Sequence, residues 1–238
     1  MQYLGSKRRY ANRIISLIDQ LAPAGIPWIE PFCGGCNSLD KVKDRPRIGC
    51  DSHPYLIALW KALQAGWIPP SNVPKEQYLA IKSSPDQYDA HLVGFVGFSC
   101  SFGSKFMDSY AKNAQGRNYA AVSARGLARQ LRNLSDVRFH LCDYTQIPLE
   151  TRSIIYCDPP YPKTTKYSNV AGAFDHAEFL KIARTWAELG HYVYISGYAV
   201  PSGFTEVLRL EASSSLSRVK SHRSKDELLF IPSHFDAW

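Results

Sequence analysis

Three apolar runs in this chain end in the same dipeptide: "RIGCD" at Asp51, "RFHLCD" at Asp143 and "SIIYCD" at Asp158. Short apolar runs stopped by an acid read as strands buried on both faces. Helical patterns lie between them. Ile14, Ile15, Leu17, Ile18 and Leu21 share one face of a helix over Ser6 to Leu21. "YLIALWKALQAGW" after Pro54 and "AAVSARGLARQLRNL" from Ala120 carry the same spacing, and Asp175, with Glu178 three residues on, caps a helix that Gly190 stops. "HYVYISGY" is a further strand, and "GFTEVLRLEA" with "DELLFIP" reads as an antiparallel pair at an edge. Strands that alternate with helices predict an α/β fold with a doubly wound, mostly parallel sheet. Ligands of such sheets bind beyond the carboxyl ends of the strands, so three carboxylates stand along the ligand-binding rim.

The first crossover carries a second signal. A strand "IPWIE" runs into the turn "PFCGGCNS", a short helical stretch follows, and the next strand ends at Asp51. Gly34 and Gly35 let a ligand approach the backbone closely. Asp51 is placed to accept from the two hydroxyls of a ribose. The loop lacks the G-x-G-x-x-G that cradles a pyrophosphate, which argues against a nicotinamide cofactor. A nucleoside without a pyrophosphate fits better, and S-adenosylmethionine is such a ligand. Cys33 and Cys36 form a CxxC, but no second CxxC or histidine pair accompanies it. The six cysteines are read as reduced thiols and no metal is expected.

"DPPY" follows the third Cys-Asp strand. Two prolines supply no backbone N–H, so Asp158-Pro159-Pro160-Tyr161 can neither continue a central strand nor open an ordinary helix. A stiff turn bearing a carboxylate and a flat ring suits chemistry on the exocyclic amine of a base. That amine is a poor nucleophile because its lone pair is conjugated into the ring. Asp158 accepting one N–H and the Pro159 carbonyl accepting the other would draw the lone pair out. Tyr161 offers a face on which a base taken from the duplex can stack.

The ordered set "YLGSK" (Tyr3, Gly5, Lys7), "EPFCGGC" (Glu30 to Cys36), Asp51, an intervening insert and "DPPY" resembles the Dam-type, alpha-ordered adenine-N6 DNA methyltransferase family, and the late "SKDELLFI" resembles its closing strand. Cys36 stands where that family usually has a third glycine. The resemblance implies a Rossmann-like methyltransferase that moves a methyl group from S-adenosylmethionine to a flipped-out adenine, in one direct displacement. It implies cofactor contacts from Tyr3 and Lys7, a methionine end lined by Pro31, Phe32 and Gly34, the ribose on Asp51, and Asp143 and Tyr144 near the adenine. Asp158 would be shared between cofactor and target amine. Cytosine N4, an RNA adenine, or a catalytically silent DNA-binding relative are the alternatives.

The alternation breaks from Ile68 to about Tyr119, where prolines, glycines and aromatics crowd and periodicity is weak. Residues 68–119 are therefore read as an inserted target-recognition region, with 1–67 and 120–238 as the catalytic domain. The formal net charge of +7 suits double-stranded DNA as partner. Lys105, Arg117 and Arg125 in and beside the insert, and Lys220 and Arg223 in the basic stretch "SRVKSHRSK", are the candidate DNA contacts. No apolar run is long enough to span a bilayer and "MQYLGSKRRYANRII" lacks the apolar core of a secretory signal. A cytoplasmic bacterial or phage protein is expected, monomeric or weakly dimeric.

Overall fold

The computed structural model describes residues 1–112, 116–161, 174–211 and 226–233. Among them seven strands form one sheet: β1 (Trp28–Glu30), β2 (Arg47–Asp51), β3 (Arg138–Leu141), β4 (Ile154–Cys157), β5 (Tyr192–Gly197), β6 (Phe204–Leu210) and β7 (Glu227–Pro232). Their order is β3-β2-β1-β4-β5-β7-β6. The first five run parallel, with Ile29 opposite Ile48 on one side and Ile155 on the other. β7 pairs antiparallel with both β5 and β6. The chain winds outward from β1 through β2 and β3, then returns to place β4 on the other flank of β1. That reversal opens a crevice at the carboxyl ends of β1 and β4.

Side-chain alternation sorts the strands' residues onto two faces. Trp28, Ile154, Tyr156, Tyr192 and Tyr194 join one apolar cluster with helices α1 (Ala11–Leu21), α2 (Pro54–Gln64) and α5 (Tyr119–Leu131). Ile29, Ile155, Cys157, Val193 and Ile195 join the other, under α6 (His176–Glu188). Both faces are covered over β1, β2, β4 and β5, which is why those strands read as apolar runs, whereas β3, at the sheet edge, buries only Phe139 and is not the doubly covered strand expected of "RFHLCD". Asp175 caps α6 as expected, accepting from the N–H groups of Ala177 and Glu178 at 2.9 and 3.0 Å. Gly190, with φ of 89°, turns the chain out of α6.

Two differences from expectation have local causes. The first helix begins at Ala11 rather than Ser6, because Lys7–Arg9 forms a separate 3₁₀ turn capped by the Ser6 hydroxyl. That turn aims Lys7 inward while Arg8 and Arg9 stay exposed. The stretch 68–119 contains two further helices, α3 (Lys75–Ser83) and α4 (Ala90–Ser99). α4 is buried from Val93 to Ser99, so it has no polar face to reveal a helical period. Its glycines serve contact: a Cβ on Gly94 would overlap the Tyr55 carbonyl of α2, and one on Gly97 would overlap the Phe106 ring.

Candidate active site

The turn after β1 is fixed from several sides. The Cys33 N–H donates to the Cys50 carbonyl at 2.8 Å, tying the turn to β2. Trp60 Nε1 donates to the Gly34 carbonyl at 3.0 Å, and Gln130 Nε2 donates to the carbonyls of Gly35 and Cys36 at 2.9 and 3.0 Å. Gly34 has φ of 47°. The Tyr3 ring closes over the loop so tightly that a Cβ on Gly34 would stand 2.7 Å from Tyr3 Cε1. Cys36, where the resembled family usually has glycine, also takes a left-handed φ, 51°, and its thiol is buried in the core. All six cysteines are free thiols.

Asp51 closes this loop. Its Oδ2 accepts the Gly34 N–H and its Oδ1 the His53 N–H, each at 3.0 Å. Burial pushes its carboxyl up to about 6, against the pull of those two donors. A carboxylate offers about four acceptor positions, so one donor on each oxygen leaves capacity for two hydroxyls. The residues therefore fit a ribose. Glu30, at the end of β1, is a different kind of acid. It is buried, accepts from Trp28 Nε1 at 3.1 Å and from the Ser38 hydroxyl at 2.9 Å, and burial raises its carboxyl to about 8.

Beside the loop, Phe32 packs against Tyr144, Phe174 and Phe179 with ring centroids 5.6–5.7 Å apart. Asp143 caps the 3₁₀ turn that carries Tyr144, accepting the Thr145 N–H at 3.0 Å. The Cys142 N–H donates to the Asp51 carbonyl at 3.2 Å, so the ends of β2 and β3 meet. Pro31, Phe32, Gly34, Asp51, Asp143 and Tyr144 thus gather on one stretch of the rim.

Asp158 is the first residue after β4, at the point where the strand order reverses. Pro159 behind it is buried and Pro160 exposed. Lys7 Nζ lies 2.8 Å from Asp158 Oδ1, donates to the Gly5 carbonyl at 3.1 Å and stands 3.7 Å from Glu227 Oε1. Its ammonium sits 4.7 Å from the centroid of the Tyr161 ring. Burial works against the Lys7 charge, but the carboxylates of Asp158 and Glu227 outweigh it and raise the ammonium above its usual range. The Tyr161 hydroxyl donates to Glu227, and the ring meets Tyr198 edge-on at 4.5 Å. The N-terminal turn, the "DPPY" turn and the start of β7 therefore converge on one acid–base cluster. Sequence reasoning found Lys7, Asp158 and Tyr161 but not Glu227, Tyr198 or the loop-fixing Trp60 and Gln130. The acidic pair that opens the buried strand of "DELLFI" was the available signal for Glu227.

Of the DNA candidates, Lys105 pairs with Asp108 at 3.8 Å, Arg117 is exposed over the Tyr119 ring, and Arg125 is exposed on α5 with Arg129, with Arg132 exposed at its C-cap. Lys220, Arg223 and the rest of "SRVKSHRSK" lie outside the described residues. Among the described residues no group of three His, Cys, Asp or Glu is placed to hold a metal ion. No described helix is long and apolar enough to cross a membrane.

Solved structures similar to this chain include a conserved hypothetical protein of Streptococcus pyogenes, at 8% identity over 93% of this chain and 94% of that one, with a TM-score of 0.39. The rRNA methyltransferase AviRa of Streptomyces viridochromogenes aligns at 12% identity over 98% and 87%, with a TM-score of 0.44. SMU.472, solved as a complex with SAH, aligns at 12% over 96% of this chain and 53% of its own, with a TM-score of 0.37. A comparison with curated protein sequences returns no match. The family of D12 class N6 adenine-specific DNA methyltransferases matches residues 3–92, a span that holds Tyr3, Lys7, the glycine loop and Asp51. That match supports a methyltransferase, and it is consistent with the Dam-type family that the ordered motifs resemble.

Proposed function

We propose that this chain transfers a methyl group from S-adenosylmethionine to the N6 amine of an adenine flipped out of double-stranded DNA. The observation that carries the reading is the position of Asp158, at the reversal of strand order, with Tyr161 beside it and the family-matched Lys7 on its carboxylate. S-adenosylmethionine, when bound, supplies an electrophilic methyl group. Tyr3, Gly34, Asp51 and the ring group of Phe32 and Tyr144 would hold it, with Asp51 on the ribose hydroxyls. Tyr161 would stack on the extruded base. Asp158 accepts one N–H of the target amine and the Pro159 carbonyl the other, which localises the nitrogen lone pair toward the incoming methyl group. Most of the rate enhancement then comes from alignment and from preorganised acceptors. The buried thiols take no part.

Lys105, Arg117, Arg125, Lys220 and Arg223 would contact the DNA, with residues 68–119 as the target-recognition region. The test is methyl transfer from labelled cofactor to duplex DNA and to RNA, followed by nucleoside analysis. N6-methyladenine in the duplex is the expected product. N4-methylcytosine, or label only in RNA, would replace the acceptor assignment.

A further inference from the structure

Glu227 has no part in the roles assigned so far, yet it touches two residues that do. It is 5% exposed at the first position of β7, and its carboxylate meets both the Tyr161 hydroxyl and the Lys7 ammonium. Asp158 meets the same ammonium at 2.8 Å. Two carboxylates therefore share one buried cation, with Lys7 closer to Asp158. This arrangement poses a problem for the proposed chemistry. A carboxylate whose charge is met by an ammonium 2.8 Å away is a weaker acceptor for the target amine, and a buried ammonium cannot leave its partner without another charge to meet it.

We infer that Glu227 is a positioning residue of the base pocket: it receives the Lys7 ammonium when the target amine engages Asp158, and it holds the Tyr161 ring on which the base stacks. The inference rests on the methyltransferase reading above. The distances suit a handover, since Lys7 has only to shift its short contact from one carboxylate to another already 3.7 Å away. An ammonium carries three donors, so the Gly5 carbonyl can keep its bond throughout. Without the Glu227 charge, Lys7 stays on Asp158 and weakens its pull on the amine.

Gln at this position separates the two roles, because an amide oxygen still accepts from Tyr161 but carries no charge. Single-turnover methylation of duplex DNA by Glu227→Gln is expected to slow about tenfold or more, with KM for S-adenosylmethionine changed less than about twofold. Glu227→Asp should recover a substantial part of that loss. A merely structural role would instead lower the melting temperature and cofactor affinity together. Tyr161→Phe removes the other contact and covers the case of a Glu227→Gln chain that does not fold. Its KM for DNA should rise about threefold or more with the cofactor KM unchanged. Wild-type turnover by Glu227→Gln, or an unchanged KM for DNA in Tyr161→Phe where that variant is the test, overturns the inference and leaves the methyltransferase reading standing. A wild-type chain that methylates no nucleic acid overturns both.

Discussion

Lys7 Nζ lies 2.8 Å from Asp158 Oδ1, joining the first turn of the chain to the "DPPY" turn after β4. Lys7 is 6% exposed and Asp158 23% in this pair, so neither charge is fully wet. Removing Lys7 strands Asp158 beside Glu227. Lys7→Met should lower stability by about 1–3 kcal/mol, less than for a fully buried pair because Asp158 keeps some water. Chemical denaturation of the two chains measures this, and equal midpoints would show the pair to be energetically idle.

On the proposed reading, Asp51 gives the cofactor site a pH dependence. Only its ionised form accepts from two hydroxyls, and burial has raised its carboxyl to about 6. Affinity for S-adenosylmethionine should be level above pH 7 and fall as pH drops through 6, approaching about tenfold per unit. Asp51→Asn should bind about tenfold more weakly at pH 7.5, as expected for a lost charged hydrogen bond, and should lose the slope. Calorimetric titrations from pH 5 to 8 read both quantities. A wild-type affinity unchanged across that range would move the ribose elsewhere.

Glu30 makes a separate prediction, about stability. Its folded-state carboxyl lies near 8, above the unfolded value of 4.5. Between those values the folded chain binds more protons than the unfolded one, so this group's contribution weakens as pH rises. Glu30→Gln keeps an acceptor for Trp28 and Ser38 but has no proton to lose. Relative to wild type it should gain stability from pH 5 to pH 8, by at most about 1.4 kcal/mol per unit. A pH-independent difference in denaturation midpoint would contradict the assignment.

Much of this was legible in the sequence because burial and chemistry were written in the same runs. Central strands buried on both faces read as apolar segments, with Asp51 and Asp158 at their ends, and Asp143 follows the exposed edge strand β3 at the same rim. The Asp175 cap and the Gly190 stop framed α6. What stayed hidden depended on long-range partners or lacked a period. α4 is apolar on every side, so "AHLVGFVGFS" carries no amphipathic signal, and its glycines acquire meaning only against Tyr55 and Phe106. The "YLGSK" pattern points Lys7 to the cofactor, but its contact with Asp158 depends on the Ser6-capped turn that aims it inward. Glu227 reaches Tyr161 and Lys7 only through the antiparallel placement of β7 beside β5.

Sequence discrimination should reside in the basic, aromatic region around Lys105 and Arg117, outside the acid–base cluster. A side chain that reads a base loses about 1–3 kcal/mol of discrimination at one position on truncation, whereas a phosphate contact weakens all sequences alike and reduces the salt slope by about one. Methylation rates of Lys105→Ala and Arg117→Ala on single-mismatch duplexes at several salt concentrations separate the two. Unchanged site preference and salt slope in both would transfer the reading role to "SRVKSHRSK".

The central claim is that the Asp158 carboxylate activates the target amine. Single-turnover methylation by Asp158→Ala, at saturating cofactor and DNA, tests it most directly, with DNA affinity measured on the same preparation. The rate should fall by at least about a thousandfold, roughly 4 kcal/mol of barrier, while DNA binding stays within about threefold. A rate above about a tenth of wild type, equivalent to less than about 1.4 kcal/mol, would contradict the assigned role.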